Sequence, residues 1–332
     1  MADNWFSLIA QVTGKKSPAP GKTGLIYHKS YLLHDTGKDH PESPQRLKGI
    51  IEHLKETGVL SELLRIEPSP APIKWITSIH TQQYVEHVRE SCEDGGHYLD
   101  SVDTGISLES YEVARLGVGG VLKAVDAVIT GRVKNAFCAI RPPGHHALAD
   151  RAMGFCIFNN VAIATRYIQE KYGLPKVLIV DWDVHHGNGT QAAFYDDPNV
   201  LYFSIHRYPF YPGSGAEKEK GEGKGLGGNI NVPLRAGCGD REYVKALEDK
   251  LKPPAIAFDP DFIIISAGFD AHKDDPLGGM QVTAKGFAEM TRIVKEIADL
   301  CCEGRVISVL EGGYDLIGLS ESVRAHISAL RE

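Results

Sequence analysis

The chain has 332 residues, of which 42% are hydrophobic and 24% charged, a composition typical of a globular protein with a sizeable core. The formal net charge of -7 argues against a general nucleic-acid binder, which usually carries a basic surface. No apolar run approaches the roughly 18 residues that cross a bilayer, and no signal-peptide pattern is present at the start, so we expect a cytoplasmic protein that binds no membrane.

The first part of the chain differs in composition from the rest. Residues 1–22 end in a run rich in Gly, Pro and Lys, which predicts an extension or linker. Residues 23–332 show one uninterrupted pattern and are predicted to form a single domain. The six cysteines include no Cys-x-x-Cys pair, which favours buried, reduced thiols over a disulfide framework.

From Gly24 onward, short apolar runs alternate with longer stretches that read as helices. The predicted strands are Phe137–Ile140, Lys176–Asp181, Val200–Ile205, Phe262–Ala267 and Val306–Leu310. The predicted helices are Glu112–Thr130, Asn160–Tyr172, Arg241–Leu251 and Ala284–Leu300, and Gly213–Gly228 is predicted to be a mobile loop. Near-continuous apolar strands separated by helices predict an α/β fold, a parallel sheet with helices on both faces. Because ligands bind beyond the carboxyl ends of such strands, the residues that follow each strand are the candidates for function.

Two adjacent histidines follow the first of these strands, at the end of the run Arg141–His146. Its prolines stiffen the backbone and Gly144 permits a tight turn, so both imidazoles are expected to be held in place. Histidine titrates near neutral pH and can take a proton from water and give it to a leaving amine. Either His145 or His146 could instead be a metal ligand, whereas a purely structural role is disfavoured for an adjacent pair.

Three polar residues come at the end of the next strand. Asp181, Asp183 and His185 alternate, so on an extended chain they would face one side. Such carboxylates and an imidazole can bind a divalent cation, and these ligand types suit zinc. Asp270, after the strand Phe262–Ala267, is the natural third protein ligand. Any one aspartate alone would be better explained as a helix or turn cap, but a cluster needs a compensating charge.

The last strand is followed by the run Glu311–Tyr314. Its paired glycines let the backbone approach a site closely and leave Tyr314 as a projecting group. The phenol could donate a hydrogen bond to the oxyanion of a tetrahedral intermediate.

Together, these motifs resemble those of the histone deacetylase family, within the wider arginase-like deacetylase fold. The resemblance runs from about His28 to Tyr314 and is carried by six motifs in the family's order: His40–Arg46, Arg141–His146, Gly154–Asn160, Asp181–Gly189, Ala267–Asp270 and Glu311–Tyr314. It implies a single catalytic domain around a sheet of about eight mostly parallel strands. It also implies a zinc-dependent amidohydrolase that removes acetyl or another short acyl group from amines of the acetyl-lysine type, by attack of a metal-activated water.

The resemblance assigns roles to individual residues. Those that match the zinc ligands are Asp183, His185 and Asp270. Those that match the catalytic groups are His146 as general base and acid, His145 as its electrostatic partner, and Tyr314 as the group that polarises the scissile carbonyl. Those that match a structural potassium site are Asp181, which also supports His145, Ser204, and the backbone carbonyls of Asp183, His185 and Ile205. Those that match the substrate tunnel are Phe155 and Tyr211 as aromatic walls, with Gly154 and Asp103 beside them.

Two residues depart from the pattern common in the family's first class. Asn188 replaces an aspartate beside the second active-site histidine, and it should raise the basicity of His146 less than a carboxylate would. Tyr211 replaces the more usual phenylalanine and makes the channel more polar. The Glu311–Tyr314 form is similar to the second class and to bacterial relatives, including acetylpolyamine amidohydrolases.

Three other functions are weighed against this one. An acetylpolyamine could be the substrate of the same chemistry, with Asp103, Glu109 and Glu112 as candidate acidic groups at the rim, unless these are only solvated surface charges. A non-catalytic module that binds acylated ligands is disfavoured by the intact histidine pair and Tyr314. A manganese ureohydrolase would need a two-metal site with additional ligands. The predicted partner is therefore an acylated peptide or small molecule, and a homo-oligomer is left open.

Overall fold

Eight parallel strands form the centre of the fold, which the computed structural model describes for residues 21–332. With the two strands of a separate hairpin, the strands of the described residues are β1 (Thr23–Ile26), β2 (Leu64–Ile66), β3 (Tyr98–Leu99), β4 (Ser101–Gly105), β5 (Asn135–Cys138), β6 (Val177–Asp181), β7 (Val200–Arg207), β8 (Asn229–Leu234), β9 (Phe262–Ala267) and β10 (Val306–Leu310). The order in the eight-stranded sheet is β2-β1-β5-β10-β9-β6-β7-β8, while β3 and β4 form the antiparallel hairpin. The prediction of an α/β fold with about eight strands is confirmed, and every pairing in the large sheet is parallel.

Helices cover both faces of this sheet. They are α1 (Pro44–Glu56), α2 (Ile73–Ile76), α3 (Gln82–Glu93), α4 (Ser110–Ile129), α5 (Asn160–Tyr172), α6 (Asn188–Phe194), α7 (Asp240–Ala246), α8 (Lys252–Phe258), α9 (Ala284–Cys301) and α10 (Leu316–Arg331). Helices α4 and α5 pack on one face, and α1, α9 and α10 pack together on the other. Strands β5, β6, β9 and β10 are buried along their whole length, which explains their continuous apolar sequences.

Most element boundaries lie within two residues of the sequence prediction; the strand predicted at Val200–Ile205, for example, continues to Arg207. The strand predicted at Phe137–Ile140 begins two residues earlier and ends at Cys138. The helix predicted at Arg241–Leu251 ends at Ala246 and continues as a wider turn over Leu247–Leu251 before α8. Two prolines in the first turn of α8 lack N–H groups, so the regular hydrogen-bond ladder cannot run through this point.

The glycine-rich segment Gly213–Gly228 is irregular apart from one short turn, but it is anchored. The carboxylate of Glu219 accepts hydrogen bonds from the backbone N–H groups of Gly215 and Ala216 at 3.1 and 3.0 Å, and from the amide of Gln191 at 2.7 Å. These contacts hold a segment that composition alone predicted to be mobile.

Two further expectations concern membranes and thiols. Within residues 21–332, no helix combines the length and the apolar character required to cross a bilayer. All six cysteines are free thiols, four of them buried: Cys92, Cys138, Cys156 and Cys302. The predicted extension over residues 1–22 lies outside the described residues, apart from its last two positions.

The order of the strands in the sheet determines where the candidate functional residues meet. Strands β5, β10, β9 and β6 are consecutive neighbours at the centre of the sheet. Because all four run in the same direction, the loops after them emerge side by side at one edge. These four loops carry the histidine pair, Tyr314, Asp270, Asp183 and His185.

Candidate active site

Two carboxylates and one imidazole converge beyond the ends of β6 and β9. The Nδ1 atom of His185 lies 3.0 Å from Oδ1 of Asp183 and 3.1 Å from Oδ2 of Asp270. The other carboxylate oxygens accept backbone N–H groups, Oδ1 of Asp270 from Val184 and Oδ2 of Asp183 from Gly312, both at 2.8 Å. Both carboxylates are fully buried. The structure thus brings together all three residues that the sequence suggested as metal ligands.

The backbone that carries them differs from the prediction. Strand β6 ends at Asp181, so Asp183 and His185 lie beyond it and do not share one face of an extended chain. Side chains fix the turn instead, since Oδ1 of Asp181 accepts the N–H of Asp183 at 3.1 Å and Oδ1 of Asp183 accepts that of His185 at 2.9 Å. Helix α6 starts after Gly187 without a side-chain cap, so neither aspartate caps it.

The electrostatics of this cluster favour a bound cation. In the part of the chain that the structure describes, the only ion-pair partners of Asp181, Asp183 and Asp270 are His145 and His185. Burial alone would lower the pKa of His185, but its hydrogen bonds to Asp183 and Asp270 raise it to about 10. A divalent cation would supply the same compensation. One nitrogen and two oxygens within 4.8 Å of one another are a donor set that suits zinc.

A second group of donor atoms, from His145, Cys156 and Glu311, is equally close together. The carboxylate of Glu311 is already engaged, because it accepts the N–H of Gly144 at 2.7 Å and the hydroxyl of Ser266 at 2.8 Å. Burial raises the pKa of the Cys156 thiol well above its ordinary value, so this thiol keeps its proton. A protonated thiol and a carboxylate that already accepts several hydrogen bonds are poor metal ligands. The group is better suited to fixing the backbone turn that carries His145 and His146.

The adjacent histidines have different partners. Nδ1 of His145 donates to Oδ2 of Asp181 at 3.0 Å, whereas Nδ1 of His146 donates to the amide oxygen of Asn188 at 2.8 Å. Their ring centroids are 4.0 Å apart, and both rings line the same cavity. Because Nδ1 of His146 donates, its Nε2 is left as the proton acceptor.

The surroundings of the two rings push their pKa values apart. Burial alone would lower the pKa of His145, but the carboxylates of Asp183 and Asp181 raise it to about 10. Burial lowers the pKa of His146 well below its ordinary value, and His145 and His185 act in the same direction. His146 is therefore neutral at pH 7 and can accept a proton. His145 is protonated at pH 7, and its positive charge stabilises negative charge that develops nearby.

Tyr314 is held by its backbone on both sides. Its N–H donates to Oδ2 of Asp275 at 2.7 Å, and the guanidinium of Arg46 donates to the carbonyl of Gly313 at 2.7 Å. The same guanidinium lies 5.1 Å from the centroid of the Tyr314 ring. Burial, with the Asp270 carboxylate, raises the pKa of Tyr314 well above its usual value. The phenol therefore keeps its proton and can donate a hydrogen bond.

One cavity of about 120 Å³ joins these groups. It is lined by Asp103, Pro143, His145, His146, Gly154, Phe155, His185, Tyr211, Leu277, Gly312 and Tyr314. Pockets for drug-sized ligands measure roughly 300–1,000 Å³, so this cavity suits a slender chain with a small polar end.

The walls of the cavity match the tunnel residues suggested by the sequence. Phe155 has a φ of 68°, in the left-handed region, and its ring lies edge-on to Tyr314 with centroids 5.8 Å apart. The ring of Tyr211 lies 5.1 Å from that of His146. A side chain at Gly154, whose φ is 57°, would collide with the His146 ring. The positive φ values at two successive residues mark backbone that is shaped by the site and not by regular structure.

Of the three acidic residues considered for the rim, only Asp103 lines the cavity. It lies on β4 and accepts a hydrogen bond from the Tyr211 hydroxyl at 3.4 Å. Glu109 precedes α4, and Glu112 forms an ion pair with Arg115 at 2.8 Å. Neither glutamate lines the cavity, so Asp103 is the rim candidate that the cavity supports.

The residues suggested for a monovalent cation also lie together. Asp181 and Ser204 are paired in register on β6 and β7, and both are fully buried, as is Ile205. Within residues 21–332, the carbonyl oxygens of Asp183 and His185 accept no turn or loop hydrogen bond from the backbone. These oxygens are therefore available to a cation, and backbone carbonyl oxygens can replace the hydration shell of a potassium ion.

Sequence reasoning assigned no role to four residues of this site: Arg46, Asp275, Leu277 and Glu311. Glu311 directly follows a buried strand, so the rule that pointed to Asp270 applies to it as well. Arg46 and Asp275 hold the Tyr314 loop through backbone groups, and such contacts leave no signature of residue spacing.

Comparison with known proteins gives a consistent result. The family described as "Histone deacetylase domain" matches residues 40–330. A protein of Archaeoglobus fulgidus named "Probable deacetylase" is 40% identical over 298 residues, 89% of this chain and 82% of that protein. The human "Polyamine deacetylase HDAC10" is 41% identical over 324 residues, 93% of this chain but 48% of that protein. The chain thus spans about half of the human relative and most of the archaeal one.

A solved structure supports the same relationship. The crystal structure of the HDA15 HD domain superimposes with a TM-score of 0.89 at 41% identity, covering 94% of this chain and 89% of that one. Because both the sequence and the fold agree over nearly the whole described chain, the chain belongs to the histone deacetylase family.

Proposed function

We propose that the chain is a zinc-dependent deacetylase that hydrolyses the amide bond of an acylated amine. The observation that carries this proposal is that His185, one of the three donors of the Asp183, His185 and Asp270 set, lines the same narrow cavity as His146 and Tyr314. The three donors would hold zinc, which when bound polarises the amide carbonyl and lowers the pKa of water.

The chain's own residues then have distinct parts. Neutral His146 takes a proton from the attacking water through Nε2 and later gives it to the nitrogen of the leaving amine. Tyr314 donates a hydrogen bond to the carbonyl oxygen as negative charge develops there. His145, paired with Asp181, favours that charge electrostatically. A C–O bond forms and the C–N bond breaks, which yields a carboxylate and a free amine. Asp181 and Ser204 would hold a structural potassium ion behind the site.

Removing the metal should abolish turnover. Dialysis against a chelator is expected to lower deacetylation of an acetyl-lysine peptide to background, and one equivalent of zinc should restore it. The chelated protein should also unfold at a lower temperature, because a ligand that binds only the folded state stabilises it. Elemental analysis should find about one zinc per chain. Full activity in protein shown to contain no metal would contradict the proposal.

Asn188 offers a test of the role of His146 through pH. A carboxylate in Asn188→Asp would stabilise the protonated ring and raise the pKa of His146. The proposed base must be neutral, so activity is present above its pKa and lost as pH falls through it. The acidic limb of the kcat/KM profile should therefore move to higher pH in this variant. The control is Asn199→Asp at an exposed position, which should leave the acidic limb of the profile unchanged. If the acidic limb does not move in Asn188→Asp either, His146 is not the base.

The substrate is proposed to be acetyl-lysine in a peptide or protein. Asp103 at the cavity wall also fits a cationic amine, and one relative is named a polyamine deacetylase, so an acetylpolyamine is the second candidate. Comparing kcat/KM for an acetyl-lysine peptide and for acetylputrescine separates the two. Release of acetate from neither substrate by the zinc-loaded protein would favour a module that only binds acylated ligands.

A further inference from the structure

One buried carboxylate joins two loops of the site. Oδ1 of Asp275, in the loop after β9, accepts the N–H groups of Leu277 at 2.9 Å and Gly278 at 3.2 Å. Oδ2 of the same residue crosses to the loop after β10 and accepts the N–H groups of Tyr314 at 2.7 Å and Asp315 at 3.3 Å. Both oxygens are therefore occupied by backbone amides.

The adjacent Asp274 shows how different the buried environment of Asp275 is from that of an exposed aspartate. The side chain of Asp274 is half exposed and forms an ion pair with Lys273. Asp275 is only 7% exposed, and the ion pairs of the described residues do not include it. Burying a carboxylate without a cationic partner is costly unless hydrogen bonds compensate. Four amides provide that compensation, and two of them belong to residues that line the cavity, Leu277 and Tyr314.

The loop that carries Tyr314 is held from opposite sides. Arg46 donates to the carbonyl oxygens of Gly313 at 2.7 Å and Glu311 at 2.5 Å, while Asp275 takes the N–H of Tyr314. The two charged groups thus bind the acceptors and the donors of one short segment. Without Asp275, the segment would keep the hydrogen bonds from Arg46 to its carbonyl oxygens but lose those from its N–H groups to a carboxylate.

We propose that Asp275 is a positioning residue for the hydrolytic reaction. It fixes the backbone of Tyr314, and with it the direction of the hydroxyl. This inference rests on the function proposed for Tyr314. It differs from a general structural role, because Asp275 should act on turnover through Tyr314 alone.

A double-mutant cycle tests this directly. In zinc-loaded enzyme, Asp275→Asn should lower kcat by about tenfold to a hundredfold, because small misplacements of a reacting group are costly. KM and zinc content should change little, and the matched Asp274→Asn should behave like wild type. In a Tyr314→Phe background, Asp275→Asn should lower kcat by no more than about twofold, since the hydroxyl that it positions is already gone.

Each outcome bears on one claim. Equal losses from Asp275→Asn in both backgrounds would show that it acts independently of Tyr314 and would overturn the inference. Near-normal turnover in Tyr314→Phe alone would overturn the proposed role of the tyrosine instead. Hydrogen exchange of wild-type protein decides the matter if Asp275→Asn does not fold. Slow exchange at the amides of Tyr314 and Asp315 supports the anchor, and exchange as fast as in exposed loops contradicts it.

Discussion

Replacing Asp270 with asparagine is expected to remove both the proposed zinc and the activity. The amide keeps the size of the side chain but loses the negative charge, and the proposed site has only three protein ligands among residues 21–332. A zinc ion held there would contribute several kcal/mol of transition-state stabilisation, so turnover should fall by about a thousandfold or more. Zinc content and deacetylation of an acetyl-lysine peptide should be measured on the same preparation.

A matched control separates this effect from a simple change of charge. Asp259 is exposed and ends helix α8, so Asp259→Asn removes one carboxylate far from the cluster. That variant should keep its zinc and its turnover. An Asp270→Asn protein that binds zinc as tightly as wild type would show that Asp270 is not a ligand, even if its activity were low.

Replacing Tyr314 with phenylalanine is expected to lower kcat by about a hundredfold or more, by analogy with the loss of one oxyanion donor. The substitution removes a single oxygen, and the ring can keep its edge contact with Phe155 and its position near Arg46. Zinc content and KM should therefore change little. Steady-state kinetics at saturating substrate, with zinc measured alongside, test this expectation.

The control for this variant is Tyr98→Phe on the exposed β3–β4 hairpin, where the side chain is 58% exposed. It makes the same chemical change without touching the cavity and should leave kcat unaltered. Turnover close to wild type in Tyr314→Phe would show that the phenol does not stabilise the developing charge. A loss of activity that follows a loss of zinc would point to disturbance of the metal cluster instead.

The sequence allowed the fold to be predicted because the central strands are locally distinctive. Strands β9 and β10 were predicted to the residue, since full burial on both faces produces unbroken apolar runs with clear ends. What the runs could not show is the order of the strands. That β5, β10, β9 and β6 are neighbours depends on pairing between segments far apart in the chain. The meeting of Asp183 with Asp270 was therefore inferred from two general rules, that strand ends carry the ligands and that zinc takes three protein ligands, and from the family resemblance.

Other features of the site had no local signal at all. The turn that brings Asp183 to His185 is fixed by side chains that accept backbone N–H groups, and alternation along a strand was the wrong reason for a correct grouping. Arg46 and Asp275 likewise hold the Tyr314 loop through hydrogen bonds to its backbone atoms. Backbone acceptors and donors are the same at every residue, so the sequence does not reveal which of them a charged side chain will bind.

Gly312 limits how this enzyme could be redesigned for longer acyl chains. Its N–H supports Asp183, and any side chain there would run into the carboxylates of Asp183 and Asp270. A mutant library that enlarges the tunnel should therefore keep this glycine fixed. Variation should instead be introduced at Phe155 and Leu277, which line the same cavity and are not among the proposed metal ligands.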